Sequence, residues 1–297
     1  MGKLVKEIAL FIVFFALAGG TLMLPGFFHD GYEDAFFGSP RAGGATNLRI
    51  PEFDSLLIAE ETIDYLFVGS STCYRGIDPS VMFEDEVIAY NLCSSSQQIM
   101  NARPLVEWAL DHTQVKHLVI DIHPEIWPLS GVEPARDHLR NNNLVGNETF
   151  FDMAATTGDP YTMYMWSYFS LRRHFEPLEP MHAKRDEYLG KGFVYSNNQP
   201  ADSLVCEEMF EDMNLGWKDL KALRSLVESI ESQGGKVTLL VPPVKCLSSF
   251  ELPEDLAHLK VIDGRECQIP DSLYYDENHM IGAGAHLYSA WLAKQLK

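Results

Sequence analysis

Apolar and polar positions along this chain write out strands and helices in alternation. The run Tyr65–Val68 (YLFV) is short, apolar and rich in β-formers, and it stops at Gly69-Ser70-Ser71. Such a run reads as a buried parallel strand ending at a loop. A second strand is predicted over Val87–Leu92, followed by the loop CSSSQQ and a helix through Pro104–Asp111. The third strand, His117–Ile122 (HLVIDI), is a continuous apolar run interrupted only at Asp121. Much later comes a helix at about Gly216–Gln233, with Leu220, Leu223, Leu226, Val227 and Ile230 on one stripe and Gly234 as its stop signal. A fourth strand, Lys236–Val241, ends at Pro242-Pro243; Leu259–Ile262 is a candidate fifth, and Ala283–Leu296 a closing helix. This alternation predicts an α/β fold with a parallel sheet and helices on both faces.

Two stretches stand apart from the alternation. Between the third and fourth strands lies an insertion of roughly 127 to 215. Within it Asp159 is a predicted N-cap, Pro160 takes the first helical position, and Arg172, Arg173 and His174 close the C-terminal end. That helix is apolar nearly all round, through Met163, Met165, Trp166, Tyr168 and Phe169. It reads as buried against the main sheet, as a lid over a site, or as a surface for a membrane-embedded partner. The other stretch is N-terminal. Lys3 and Lys6 precede an apolar run from Ile8 to Phe28, long enough to cross a bilayer, and His29, Asp30, Glu33 and Asp34 follow it. This charge pattern predicts a single-pass membrane anchor with the N-terminus inside and the domain outside the cytoplasm. A cleaved signal peptide is the rival, because Ala16-Leu17-Ala18 resembles a cleavage site; the apolar character continuing through Leu22, Met23 and Leu24 favours the anchor. The predicted organisation is therefore an anchor over 1–28, a Gly-, Pro- and Asn-rich linker over 29–60, and one domain over 61–297.

Composition narrows the partners. The chain has 297 residues, 46% of them hydrophobic, so it can bury a real core. Its formal net charge of −19 argues against nucleic acid as a partner. The five cysteines (Cys73, Cys93, Cys206, Cys246, Cys267) show no C-x-x-C spacing, so they form no zinc framework, and their pairing cannot be deduced from spacing. His279 and His286 are too far apart for a one-turn metal pair, and the first loop is neither GxGxxG nor a P-loop. Neither a metal nor another cofactor is expected.

The candidate chemistry lies at the two ends of the domain. Ser71 directly follows a predicted strand, where a nucleophile would find backbone N–H groups to hold an oxyanion. Near the C-terminus, YDENHMIGAG supplies Asp276 and His279, an acid placed to orient an imidazole as base. The alternative for each is helix capping, by Ser70 and Ser71 in one case and by Asp276 and His279 ahead of the closing helix in the other.

The order strand–Gly-Ser-Ser, strand–Asn-x-x-Ser-Ser-Ser and C-terminal Asp-x-x-His resembles the SGNH/GDSL hydrolase superfamily. The blocks GSSTCYRGIDPSVMF, AYNLCSSSQQ, LLVPPV and YYDENHMIGAGAHLYSAWLA are most similar to its membrane-anchored DltD-like and alginate-type O-acetyltransferase branch. The resemblance implies a three-layer, flavodoxin-like α/β/α domain with Ser71 as nucleophile, His279 as base, Asp276 as orienting acid, and backbone N–H groups of Ser71 and Ser96 at the oxyanion. Its third block departs: the usual Gly-x-Asn-Asp is replaced by Asp121-Ile122-His123-Pro124-Glu125. Losing one such oxyanion donor can cost about 2.7–4 kcal/mol of transition-state stabilisation. His123 and Glu125 read either as substrate contacts or as a polar cluster closing the strand; Lys245 is placed to meet an anionic substrate. The implied activity is acyl transfer or ester hydrolysis on a cell-envelope polymer or glycan, with a membrane-bound O-acyltransferase as a possible partner. The alternative is a catalytically silent envelope scaffold that binds a glycan or such a partner.

Overall fold

The β-rich runs lie side by side in a computed structural model that describes residues 32–38, 44–123, 126, 129–179, 181–204, 216–246 and 254–297. In chain order these give helices α1 (Tyr32–Phe37) and α2 (Thr46–Ala59), then strands β1 (Thr62–Ile63) and β2 (Tyr65–Val68). Helices α3 (Ser71–Gly76) and α4 (Pro79–Met82), strand β3 (Ala89–Asn91) and helix α5 (Ile99–His112) follow. Next come strands β4 (Gln114–Val115) and β5 (His117–Asp121), then helices α6 (Val132–Asn141), α7 (Glu148–Thr157) and α8 (Pro160–Phe175). The remainder is a hairpin of β6 (Asp186–Gly190) and β7 (Phe193–Ser196), helix α9 (Trp217–Ser232), strands β8 (Lys236–Val241) and β9 (Lys260–Asp263), and helix α10 (Gly282–Leu296).

The main sheet is parallel throughout, in the order β3–β2–β5–β8–β9. Winding proceeds one way from β2 to β3 and the other way from β5 to β9, so it reverses between β2 and β5. In open α/β sheets the crevice at such a reversal, beyond the strands' carboxyl ends, is where ligands sit. The loops that leave those two ends begin at Gly69 and Ile122.

Period-two alternation sorts the strand residues between two cores. Leu66, Val68, Leu118, Ile120, Leu239 and Val241 face a layer built by α2, α5, α9 and the insertion's helices. Phe67, Val119, Leu240 and Ile262 face the other layer, with α3, α4 and α10. The fold is thus α/β with helices on both sides of a parallel sheet, as the alternation predicts.

The structure departs from the sequence reading in three places. The stretch read as a linker carries α1 and α2, whose Phe37, Ile50, Phe53 and Leu57 enter the core, so packed structure reaches back well into the predicted linker. Among its described residues the insertion is three helices and a hairpin. Asp159 caps α8 by accepting from the Thr162 N–H. That helix packs chiefly on α6 and α7 rather than directly on the sheet. Its buried side includes Met165, Tyr168 and Phe169, and α1 lies along it. Finally, the hairpin closes the sheet's edge: the Asn91 N–H donates to the Lys191 carbonyl at 2.9 Å. The apolar run Ile8–Phe28 lies outside the described residues, as do Pro124, Glu125 and Cys206. Among the described residues no helix is long and apolar enough to cross a membrane.

Candidate active site

The loop leaving β2 is bent sharply and held from below. Gly69 adopts φ 148°, and a Cβ there would stand 2.4 Å from the Asp121 Cβ, so no larger residue fits. Its N–H donates to Gln97 Oε1 at 3.0 Å, and its carbonyl accepts from the Ser94 N–H at 2.9 Å. Asp121, at the carboxyl end of the neighbouring β5, accepts through Oδ2 from the Ser70 N–H (3.2 Å), the Ser70 hydroxyl (3.1 Å) and the Thr72 hydroxyl (2.8 Å). Ser70 occupies the backbone N-cap position of α3 yet makes no side-chain cap bond. With Ser70 and Thr72 drawn inward, Ser71, at the first turn of α3, points elsewhere.

Its hydroxyl lies 2.7 Å from His279 Nε2. The two residues are separated by 208 positions in sequence, and the fold alone brings them together. The His279 ring lies with its Nδ1 2.9 and 3.0 Å from the two Asp276 carboxylate oxygens. A carboxylate only accepts, so Nδ1 carries the proton and Nε2 is left as the acceptor for the serine hydroxyl. Asp276 Oδ1 also accepts from the Asn278 N–H (2.9 Å) and the His279 N–H (2.7 Å), which folds D-x-x-H into a tight turn. Burial by itself would raise the Asp276 pKa; the His279 ring and these two N–H groups outweigh it and hold the carboxyl below its ordinary range. The turn is closed by the bridge between Tyr274 and Met280 and by Tyr275 N–H donating to the His279 carbonyl (3.0 Å). Tyr275 then stacks on the imidazole, with 5.5 Å between centroids and 7° between planes. The pair therefore orients a base and does not cap α10.

The remaining sequence candidates divide. Ser96 lies in the turn between β3 and α5 with φ 50°, drawn toward the nucleophile loop by the Ser94–Gly69 bond. Among the described residues no acceptor engages the Ser71 or Ser96 N–H, so both remain for an oxyanion. His123 is buried beside Asn278 and His279 of the catalytic turn; burial first, then the nearby His279, lower its pKa to about 4, so it is neutral at pH 7. Lys245 is engaged within the fold: its ammonium donates to the Ile269 carbonyl (2.6 Å), pairs with Asp271 (2.8 Å) and stands over the Tyr274 ring. It fastens the approach to the catalytic turn onto the end of β8. His286 lies beside Asp78 on α10.

Sequence reasoning did not single out Asp121, Gln97 or Asn91 for any of this. Asn91 donates to the Cys73 and Ile77 carbonyls (3.0 and 2.8 Å), joining β3 to α3. A disulfide between Cys73 and Cys93 makes the same join covalently, two residues past the nucleophile. Cys246 is also disulfide-bonded, and among the described cysteines only Cys267 is a free thiol. Closing a loop of 20 residues removes about 3 kcal/mol of entropy from the unfolded chain. Paired replacement, Cys73→Ala with Cys93→Ala, should therefore lower unfolding free energy by about that much, read from urea titrations under oxidising conditions.

A polar cleft of about 510 Å³ adjoins the triad, lined by Arg185, Asn197, Asn198, Gln199 and Tyr275. Tyr275 thus belongs both to the cleft wall and to the stack on the base. The hairpin that carries Arg185 and Asn197 at its base is pinned to the nucleophile's helix by Arg75, which donates to both Asp186 oxygens at 2.6 and 2.9 Å. No group of three or more His, Cys, Asp or Glu side chains is placed to hold a metal among the described residues. No protein-family model matches the chain, and no curated protein does either.

Proposed function

We propose that this protein is a serine-dependent acyl-ester enzyme of the SGNH-hydrolase type, acting outside the cytoplasm from an N-terminal membrane anchor on a cell-envelope polymer or glycan. The observation that carries the reading is the continuous chain Ser71 Oγ–H, His279 Nε2, His279 Nδ1–H, Asp276, at 2.7 and 2.9 Å, placed at the sheet's point of reversal. As Ser71 Oγ forms its bond to an ester's carbonyl carbon, its proton passes to Nε2 and the carbonyl oxygen takes negative charge toward the Ser71 and Ser96 N–H groups. Collapse breaks the bond to the leaving oxygen, which receives that proton and departs as an alcohol. Acyl-Ser71 remains. A hydroxyl of the acceptor, or water, then gives its proton to Nε2, attacks the acyl carbon and releases Ser71 with its proton restored. Entry of an acceptor hydroxyl through the polar cleft beside Tyr275 gives transfer; entry of water gives hydrolysis. The buried Cys73–Cys93 disulfide supports placement outside the reducing cytosol. A membrane acyl donor, handed on by an O-acyltransferase partner, would explain why the receiver is tethered.

Labelling by a serine-directed fluorophosphonate tests this. The full chain should be labelled at Ser71, and the Ser71→Ala variant should not; equal labelling of both would sink the assignment. A silent scaffold that binds a glycan is the second reading. What favours it is the third block, where Asp121 is spent on the loop and supplies no oxyanion donor. Absence of turnover with any activated ester, alongside binding of an envelope polymer, would decide for it.

A further inference from the structure

Helices α5 and α9 lie on the side of the sheet away from α3 and α10, and they are fastened to each other at their first turns. There the Met100 N–H donates to Asp219 Oδ1 at 2.9 Å. Because α5 follows β3 and α9 precedes β8, both helices begin at the carboxyl end of the parallel strands, the edge that carries the triad. A pocket of about 230 Å³ opens between them. Met100, which lines it, follows Ser96 by four residues, so its Cα stands no more than about 15 Å from the Cα of that oxyanion donor.

The pocket joins an apolar wall to a cationic rim. Met100 and Ala222 are buried, whereas Trp217 is 74% exposed, so most of its indole faces the opening rather than the core. Lys221 stands one turn after Trp217 on the same face of α9. The other two cations of the rim are partly spent. Arg103 pairs with Glu107 at 2.9 Å, and the Lys218 ammonium donates to the Thr156 and Thr157 carbonyls (3.4 Å each) at the end of α7. Lys221 is left without a carboxylate partner among the described residues. A chain of net charge −19 repels anions over most of its surface, so a pocket rimmed by three cations is where one is received.

We infer that this pocket is a second, non-catalytic site that holds one acidic sugar unit of a glycan. The apolar C–H face of the ring lies on Trp217, and the sugar's anionic substituent meets the Lys221 ammonium. Sites that enclose a whole drug-sized ligand measure about 300–1,000 Å³, so a pocket of this size grips one ring and leaves its neighbours in the chain outside. Those neighbours lie close enough to Ser96 to reach the triad. The inference deepens the glycan reading proposed above and rests on it for the class of ligand, not for the chemistry at Ser71.

Calorimetric titration of the full chain in detergent, with tetragalacturonate as the acidic probe and maltotetraose as its neutral counterpart, tests this. Wild type should bind the acidic tetramer and discriminate against the neutral one. Trp217→Ala and Lys221→Gln should each weaken the acidic tetramer by about tenfold, and Lys221→Gln should also erase the discrimination. Trp217 and Lys221 are exposed, so both variants should keep the wild-type urea midpoint. No binding of the acidic tetramer by wild type, equal binding of the neutral one, or no loss in either variant would overturn the site. A loss that appears with Arg185→Gln and not with Trp217→Ala would put the sugar in the cleft beside Tyr275, which overturns it as well. Failure of fluorophosphonate labelling at Ser71 would remove the serine enzyme and leave this binding result standing, so the two readings fail separately.

Discussion

Replacing His279 with Ala should abolish turnover of an activated ester, lowering kcat by about 10⁴- to 10⁶-fold, as removal of the base does in enzymes built on a serine–histidine pair. The imidazole is the group that the fold brings within hydrogen-bond reach of the Ser71 hydroxyl, at 2.7 Å, and a serine hydroxyl without a base is a poor nucleophile at neutral pH. Asp276→Asn offers a finer comparison. Asp276 Oδ1 accepts the Asn278 and His279 N–H groups, and an amide oxygen accepts them equally well, so the tight turn should survive. The amide nitrogen, however, presents a donor to His279 Nδ1. The ring then takes the other tautomer, with its proton on Nε2 facing Ser71, and no longer accepts from the serine. A fall of about 10⁴-fold in kcat is expected with an unchanged urea midpoint. Asp276→Ala should lose both the tautomer and the turn, and with them stability. If His279→Ala kept turnover near the wild-type level, the Ser71–His279 bond would be a structural contact, and the silent-scaffold reading would gain.

Much of this site was legible in the sequence because its parts are local patterns. Tyr65–Val68 and Lys236–Val241 are strands with the bounds that their apolar runs predict, and D-x-x-H encodes its own turn, since acid and base are close enough to share one. What was illegible depends on register between strands. Asp121 reads as a break in an apolar strand; only its pairing beside β2 places its carboxylate under the nucleophile loop. The Cys73–Cys93 pairing likewise follows from β3 lying next to β2, which spacing does not encode. Lys245 seemed free for substrate because its partners, Ile269 and Asp271, belong to a distant loop. The helix α2 was hidden by composition: Pro51 and the preceding glycines suggested a linker, although Ile50, Phe53 and Leu57 already carried helical spacing.

Asp121 carries the second large effect, on stability as well as on alignment of the nucleophile. Its Oδ2 takes three bonds, while its Oδ1 is buried with no hydrogen-bond partner among the described residues. Burial raises its pKa, opposed by the bonds from Thr72 and Ser70, and leaves it at about 6. Between about pH 4 and pH 6 the folded protein therefore binds a proton here that the unfolded chain has released. Stability contributed by this group is full below the unfolded value and falls as pH rises through 6, by about 3 kcal/mol in all. Asp121→Asn keeps an acceptor for Ser70 and Thr72 but cannot ionise. Measured against wild type in urea, it should gain about 2.5 kcal/mol in relative stability between pH 4 and pH 8, whatever its offset at pH 4. Asp121→Ala has no acceptor at all. It strands the Ser70 N–H and loosens the two hydroxyls, which should cost about 2–5 kcal/mol near pH 5 and cut turnover, because Ser71 is aimed by the inward pull on its neighbours. A relative stability of wild type and Asp121→Asn that does not change with pH would mean that this carboxyl titrates as it does in the unfolded chain. The bend at Gly69 would then be held by Gln97 and Ser94 without help from the charge state beneath it.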